Sequence, residues 1–193
     1  RLTSGDLAIE QLTLEGGRYP RAAGRLALTE LSAQREGRTI RVPATSLDLR
    51  MGIEAGSGLR IERAELAAGF AAARLTGSPE ALDAQFRLDL AAMQRDLGQV
   101  FDLTSLPAGG LVSGQMALRS DEPRIRIDGQ VRAEDFRWRW DGRPIEISRA
   151  LLAPRGYLVV DDRRLAEVVA DEVSLDIDGA VAARGTGRYL PTT

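Results

Sequence analysis

The sequence predicts a mainly β protein: a curved antiparallel meander with a taco-like or sandwich-like groove and one short amphipathic helix near residues 90–103. Three observations predict this fold. Apolar and polar residues alternate along most of the chain, turn-forming residues separate the alternating runs, and a single segment shows clear helical spacing. About ten to twelve short strands at a spacing of ~8–12 residues are typical of a series of β-hairpins.

The clearest strand lies in residues 82–90, where Asp83 and Arg87 alternate with apolar residues such as Phe86 and Leu88. A strand with this pattern buries one side and exposes the other, as in an antiparallel sheet. Similar alternation predicts strands at residues 24–33, 39–44, 46–51, 59–66, 124–133, 135–140, 145–148, 173–178 and 180–184. Turn signals lie between these runs, at residues 36–37, 56–58, 77–79, 141–142 and 178–179.

The predicted helix covers residues 90–103. Its apolar residues are spaced by three and four positions, at Leu90, Met93, Leu97, Val100 and Phe101. Asp89 is the predicted N-cap, and Pro107 lies beyond the predicted end. We expect this helix to pack across the open end of its own sheet, because it has too few basic residues for a membrane-surface helix.

Residues 163–170 fit two structures. Leu165, Val168 and Val169 have the spacing of a helical turn, whereas the runs on either side alternate like strands. The sequence alone leaves this segment open.

The chain of 193 residues is predicted to form one β-rich domain, residues 1–193. Its hydrophobic content of 44% suffices for a core, and an aromatic content of 5% leaves Leu, Ala, Val and Ile to build it. The sequence starts at Arg1 without an initiator Met or a basic-then-apolar signal segment. We therefore expect it to be a fragment of a larger protein.

The composition excludes several kinds of active site. Arg supplies all 26 basic charges against 28 acidic residues, and Lys, His, Cys and Asn are absent. Without His and Cys, the usual zinc sites, thiol nucleophiles and imidazole bases are excluded. We predict no metal, no cofactor and no catalytic residue, and we expect that the protein is not an enzyme.

Carboxylate pairs are the remaining candidates for catalysis. They occur at Asp121–Glu122, Glu134–Asp135, Asp161–Asp162 and Asp171–Glu172. Such pairs can hydrolyse a substrate when one carboxyl group is desolvated. Each pair is predicted to lie at or near a turn and beside Arg, where both carboxylates stay hydrated. A hydrolase is therefore a disfavoured alternative.

Aromatic and basic residues alternate in residues 136–140, where Phe136, Trp138 and Trp140 enclose Arg137 and Arg139. Such mixtures can bind single-stranded nucleic acid. In a strand, however, the aromatic and basic side chains point to opposite sides, and the net charge of −2 opposes tracking along phosphates. We predict no nucleic-acid partner. The aromatic stripe belongs either to an ordinary core or to an apolar groove open to a lipid chain.

The order of elements in residues 82–140 is distinctive. A strand ends in Leu88-Asp89-Leu90, a short helix runs to Leu97, and a Gly-rich turn precedes a strand of the form Gly-x-x-x-Leu in residues 110–118. A second hairpin contains Pro-x-Ile-x-Ile-x-Gly at residues 123–129 and closes on residues 133–136. This order resembles the recurring element of the AsmA-like superfamily, which includes the AsmA, TamB, YhdP and YdbH families of Gram-negative envelopes.

The resemblance implies a long curved antiparallel sheet with an apolar interior, in a periplasmic segment of an inner-membrane-anchored protein. These families are thought to carry phospholipid between the inner and outer membranes. The implied partners are therefore phospholipid or another acyl lipid, the inner-membrane anchor of the full-length chain, and other envelope proteins.

Together, pattern and resemblance predict a non-enzymatic segment that binds or conducts lipid by holding acyl chains on an apolar concave sheet side. Each CH₂ group taken from water contributes ~0.8 kcal/mol there. The alternative is a purely structural periplasmic β scaffold whose inward side closes on itself as a filled core. Alternation gives the candidate groove lining: Phe86, Leu88, Ile125, Ile127, Phe136, Trp138 and Trp140.

Overall fold

A computed structural model describes residues 2–35, 38–41, 44–55, 58–98, 103, 109–121, 123–140, 143–161, 164–179 and 181–190. These residues form twelve β-strands and one α-helix. The elements are β1 (Leu2–Glu15), β2 (Arg21–Arg35), β3 (Arg38–Arg41), β4 (Thr45–Glu54), β5 (Gly58–Ala68), β6 (Ala71–Ser78), β7 (Ala81–Asp89), α1 (Leu90–Leu97), β8 (Gly109–Asp121), β9 (Arg124–Trp140), β10 (Arg143–Asp161), β11 (Arg164–Ile177) and β12 (Val181–Tyr189).

The strands form one open, curved antiparallel sheet, which confirms the predicted mainly β meander. Its order is β1-β2-β4-β5-β6-β7-β8-β9-β10-β11-β12, and β3 pairs with β2 beside this path. Most sequential strands are neighbours in the sheet, as expected for an antiparallel meander, and β7 and β8 are neighbours although α1 lies between them in the chain. The two predicted runs at residues 124–133 and 135–140 are a single strand, β9, of 17 residues.

The two sides of the sheet differ sharply in polarity. One side of the sheet is the apolar face. It is defined by a row of register partners that crosses the sheet from β1 to β12: Ile9, Leu26, Leu47, Leu66, Ala73, Phe86, Gly114, Val131, Leu152, Leu175 and Ala183. The polar face is the opposite side of the sheet. It is defined by two adjacent rows of register partners: Arg25, Asp48, Glu65, Arg74, Gln85, Gln115 and Gln130 from β2 to β9, and Ala153, Ser174 and Arg184 from β10 to β12.

Bulges keep the apolar residues on one face. The register shifts between Ile61 and Ala64 in β5, and the ladder of β11 with β12 shifts between Ala170 and Val173. In both places successive apolar residues are three positions apart instead of two. Because a bulge adds one residue to one strand, it restores the face that strict alternation would have reversed.

The segment 164–170 is part of strand β11, which settles the ambiguity left by the sequence. Val159 pairs with Glu167, while the next residue, Val160, pairs with Leu165. The extra residue between these pairs is a bulge, and it separates Leu165 from Val168 by three positions. A bulged strand therefore imitates the apolar spacing of a helical turn.

Helix α1 begins as predicted and ends earlier. The Asp89 carboxylate Oδ1 accepts a hydrogen bond from the Ala92 amide at 2.8 Å, which confirms the predicted N-cap. The helix ends at Leu97, so its predicted extent to residue 103 is wrong. Gly98 offers no side chain to continue the apolar stripe and is a poor helix former. Pro107 and residues 99–102 lie outside the described residues.

The described part of the chain has very little core. Its buried hydrophobic residues are Ala27, Leu90 and Ala92. The strands contact their neighbours in the sheet, and α1 contacts mainly β8 and β7, the two strands that it connects. Within the described ranges no second layer packs on the apolar face.

Candidate functional site

The predicted groove residues lie together on the apolar face. Six of the seven have described side chains, and all six are half-buried: Phe86, Leu88, Ile125, Ile127, Phe136 and Trp138. Their register partners across the neighbouring strands are apolar in nearly every case, as Leu118 is for Ile127 and Ile145 is for Trp138. The side chain of the seventh, Trp140, lies outside the described residues.

A bulge at Asp135 places the two halves of this set on the same side. Ile127 and Trp138 are 11 positions apart, so strict alternation would place them on opposite faces. Asp135 adopts a left-handed φ of 49°, and the register of β8 with β9 shifts beside it. Beyond the bulge, Phe136 and Trp138 therefore share the face of Ile125 and Ile127, while Glu134 and Asp135 are exposed.

The ring of Phe86 packs over a glycine on the neighbouring strand. Phe86 in β7 pairs with Gly114 in β8, and a methyl group at Gly114 would lie 2.7 Å from Cε1 and Cζ of the ring. The missing side chain of Gly114 thus leaves the space that the ring occupies. An aromatic ring packed across a glycine compensates for the contacts that glycine lacks in a strand.

Most of the predicted groove residues lie on β9 and are spread over much of its length. Ile125 lies near the start of this strand and Trp138 near its end. At ~3.3 Å per residue, these positions are roughly 40 Å apart, which exceeds the ~30 Å thickness of a bilayer hydrocarbon core. The predicted residues form a long apolar strip rather than a compact pocket.

The apolar face extends well beyond the predicted set. Large apolar side chains on other strands of this face are between 36% exposed, at Leu152, and 72% exposed, at Leu14. These residues were not among the predicted groove residues, although they alternate with polar residues in the sequence. They are Ile9, Leu12, Leu14, Leu47, Ile53, Leu59, Leu66, Leu152 and Tyr189.

The polar face is a network of exposed ion pairs. Cross-strand pairs join Arg25 to Asp48 at 3.9 Å and Arg74 to Glu65 at 3.5 Å. Farther along the sheet, Arg155 contacts Asp128 at 3.0 Å. Each such pair contributes little stability because it is solvated. Together they mark this side of the sheet as the one that faces water.

Concavities of about 300 to 510 Å³ lie mostly among the long side chains of the polar face. One of about 480 Å³ includes Gln85, Gln115 and Gln130, which are direct register partners on three neighbouring strands. The apolar face, by contrast, is a broad and open surface.

Two of the carboxylate pairs lie within strands, so their predicted position at turns is wrong. Glu134–Asp135 occupies the bulge of β9, and Asp171–Glu172 occupies a bulge of β11. Glu172 is 3.9 Å from Arg155 and 3.8 Å from Arg184. Asp162 and Glu122, from the other two pairs, lie outside the described residues. Among the residues that the structure describes, no cluster of three or more acidic side chains could hold a metal ion.

Two groups have shifted pKa values, and both lie on the surface. The Ser78 hydroxyl and the backbone amide of Glu80 donate to the Glu80 carboxylate and lower its pKa. The Arg63 guanidinium donates a hydrogen bond to the Glu65 carboxylate, and this contact raises the pKa of Arg63. Both shifts stabilise the charged form, as expected for solvated surface pairs.

Comparisons of the chain with protein-family models, with curated proteins and with solved structures give no match. In the described part of the chain, no helix combines the length and the hydropathy needed to cross a membrane.

Proposed function

We propose that this chain binds lipid, holding acyl chains against the apolar face of its curved sheet. The observation that carries the proposal is the uncovered state of that face. Within the described residues, a row of apolar and small residues runs through eleven strands without an ionisable side chain, and no second layer packs on it. Soluble monomers seldom leave more than a few hundred Å² of contiguous apolar surface exposed.

The energetics favour an apolar occupant. A hydrocarbon chain on this face would remove its own methylene groups and side chains such as Leu66, Phe86 and Leu152 from water. The gain is ~25 cal/mol per Å² of apolar surface, or ~0.8 kcal/mol per CH₂. A hydrocarbon chain would bind the polar face poorly, because covering its charged side chains would remove their water of hydration at a cost in free energy. The sheet is therefore built to accept hydrocarbon on one side only.

The resemblance to the AsmA-like families supplies the biological part of the proposal. On that basis the chain is a non-enzymatic segment of a periplasmic, inner-membrane-anchored envelope protein, and its lipid is phospholipid moving between the inner and outer membranes. The shape of the strip along β9 suits conduction, since its length of roughly 40 Å lets a chain slide among similar contacts. The competing proposal is a structural scaffold whose apolar face is covered by other protein.

Native mass spectrometry of the purified chain, combined with solvent extraction and lipid analysis, tests the proposal. We expect phospholipid to copurify at near-stoichiometric amounts. Trp138→Asp should weaken uptake of a fluorescent phospholipid roughly ten- to hundredfold, because it removes a large apolar contact and introduces a charge. Arg139→Asp is the matched control, since it changes the adjacent residue on the polar face and should leave uptake within about twofold.

A clean lipid-free mass together with no uptake of the fluorescent phospholipid would support the scaffold instead. Equal losses in the Trp138 and Arg139 variants would also contradict the proposal, because binding would then not depend on the apolar face. Circular dichroism of both variants establishes that the sheet is intact. Leu152→Asp, on a different strand of the same face, provides a second test if the Trp138 variant does not fold.

A further inference from the structure

A second surface with the chemistry of a binding site lies on the polar face, where β8, β9 and β10 run side by side. It is a concavity of about 510 Å³. Its lining combines arginines with one tyrosine and two carboxylates. The charged and aromatic residues are Arg119, Arg124, Arg126, Arg155, Tyr157 and two aspartates, Asp128 and Asp171. Four guanidinium groups and two carboxylates line this concavity, and Asp83 and Glu172 pair with two of the four guanidinium groups from outside it.

The arginines differ in their partners. Arg119 is held by Asp83 at 2.8 Å, and Arg155 is held by Asp128 at 3.0 Å. Arg124 and Arg126 have no carboxylate within ion-pair distance among the described residues. The Arg124 guanidinium lies over the Tyr157 ring instead, 5.1 Å from its centre, although Asp121 is its register partner on β8.

The register places like charges side by side. Arg119 of β8 is directly opposite Arg126 of β9, and Tyr157 of β10 is the next partner in the same row. Like charges directly opposite each other destabilise a strand pair. Arg119 avoids part of the repulsion by turning to Asp83 and to the Leu82 and Leu118 carbonyl oxygens. An anion bound between Arg124 and Arg126 would offset the remaining repulsion between the guanidinium groups.

We propose that this concavity binds a phosphate-type oxyanion, with Arg124 and Arg126 as its main ligands. The planar fork of a guanidinium matches phosphate oxygens with two parallel hydrogen bonds. The Tyr157 ring fixes the Arg124 fork by a cation–π contact, so little side-chain freedom is lost on binding. This inference is independent of the proposed lipid binding, because it depends on the opposite face. The oxyanion is either a free phosphate or the phosphodiester of a lipid headgroup.

Titration of the whole chain by nuclear magnetic resonance, observing the backbone amides and the arginine Nε–H groups, tests the inference. The probes are inorganic phosphate and glycerophosphoethanolamine, the soluble headgroup of a common phospholipid. We expect saturable shifts at Arg124 and Arg126 in low salt, with affinity falling as the Debye length drops from ~10 Å at 0.1 M to ~3 Å at 1 M salt. In the double variant Arg124→Gln/Arg126→Gln, affinity should fall roughly tenfold or more.

The double variant Arg132→Gln/Arg139→Gln is the matched control, since it removes the same charge from the polar face of the same strand. It should bind like the unchanged protein. Binding of both probes supports a headgroup as the source, and binding of inorganic phosphate alone supports free phosphate. Absence of saturable shifts with either probe would overturn the inference, as would equal losses in the two double variants. Arg126→Gln alone is the alternative if the double variant is unstable.

Discussion

Asp178 and Arg149 exchange two hydrogen bonds across β10 and the end of β11. The Arg149 amide donates to Asp178 Oδ1 at 2.6 Å, and the Asp178 amide donates to the Arg149 carbonyl oxygen at 2.8 Å. Asp178 has a left-handed φ of 53°, which Asp tolerates better than most residues. This contact fixes β10 where Ile147 and Ala150, three positions apart, pair with Phe136 and Ala133 of the apolar face.

Asp178→Ala should lower the free energy of unfolding by about 1–3 kcal/mol, because it removes charge-assisted hydrogen bonds and strains a left-handed residue. Asp178→Asn should cost less, since Asn accepts the same φ. The measurement is urea denaturation. Asp176→Ala is the control in the same turn, because the Asp176 carboxylate accepts a longer bond, 3.2 Å, from the Gly179 amide. Equal stability of the Asp178→Ala variant and the unchanged protein would contradict this account of the turn.

Gly110 faces the bulge of β9, and we expect Gly110→Ala to cost more than about 2 kcal/mol. A methyl group there would lie 2.7 Å from Phe136 Cα and 2.9 Å from the Glu134 carbonyl oxygen, and the backbone φ is 116°. Gly185→Ala is the matched control, since nothing lies within 4 Å of its added methyl group. It should leave stability unchanged or raise it by up to ~1 kcal/mol. Thermal unfolding of both variants checks the difference, and a tolerated Gly110→Ala would mean that the bulge is placed elsewhere.

The alternation of apolar and polar residues predicted many of the strands, their antiparallel arrangement and a common face for Phe86 and Leu88, but it did not single out β1 or β6. It could not assign Ile127 and Trp138 to one face by counting, because their odd separation requires the bulge at Asp135. The sequence carries a signal for such bulges, namely apolar residues spaced by three within an alternating run. The same spacing made residues 163–170 ambiguous, since a helical turn produces it too.

The arginine concavity was beyond sequence analysis for a physical reason. Arg126 and Tyr157 are far apart in the chain and become neighbours only through the register of β9 with β10. That register depends on the number and position of bulges along β9 and β10. A shift of one residue would move Tyr157 to the apolar face and remove the cation–π contact with Arg124.

The loss of stability below about pH 5 should include a contribution from Glu80. Its pKa in the folded protein lies below the ordinary value of 4.5, because the Ser78 hydroxyl and its own amide donate to the carboxylate. A group with a lowered folded pKa stabilises the fold above its unfolded pKa, and this contribution disappears as the pH falls through the folded pKa. Urea denaturation at several pH values should show a shallower acid loss in Glu80→Gln and in Ser78→Ala. An unchanged acid slope in both variants would exclude the interaction.

The contact between Phe86 and Gly114 predicts an energetic coupling between β7 and β8. Gly114→Ala should destabilise the sheet, because the new methyl group would lie 2.7 Å from the Phe86 ring and 2.8 Å from the Gln130 carbonyl oxygen. Phe86→Leu removes the ring and with it the first of these two clashes. The cost of Gly114→Ala should therefore be smaller in the Phe86→Leu background, by about 1 kcal/mol, while the clash with Gln130 remains.

Urea denaturation of the four proteins in this cycle measures the coupling. A coupling of about 1 kcal/mol exceeds the ~0.3–0.5 kcal/mol by which independent sites deviate from additivity, so the result is decisive. Strictly additive effects would place the Phe86 ring away from Gly114. Coupling of the expected sign would instead show that the ring is fixed over Gly114. In that case Phe86 offers a rigid aromatic surface to whatever binds the apolar face, and a ligand would lose little side-chain entropy in contacting it.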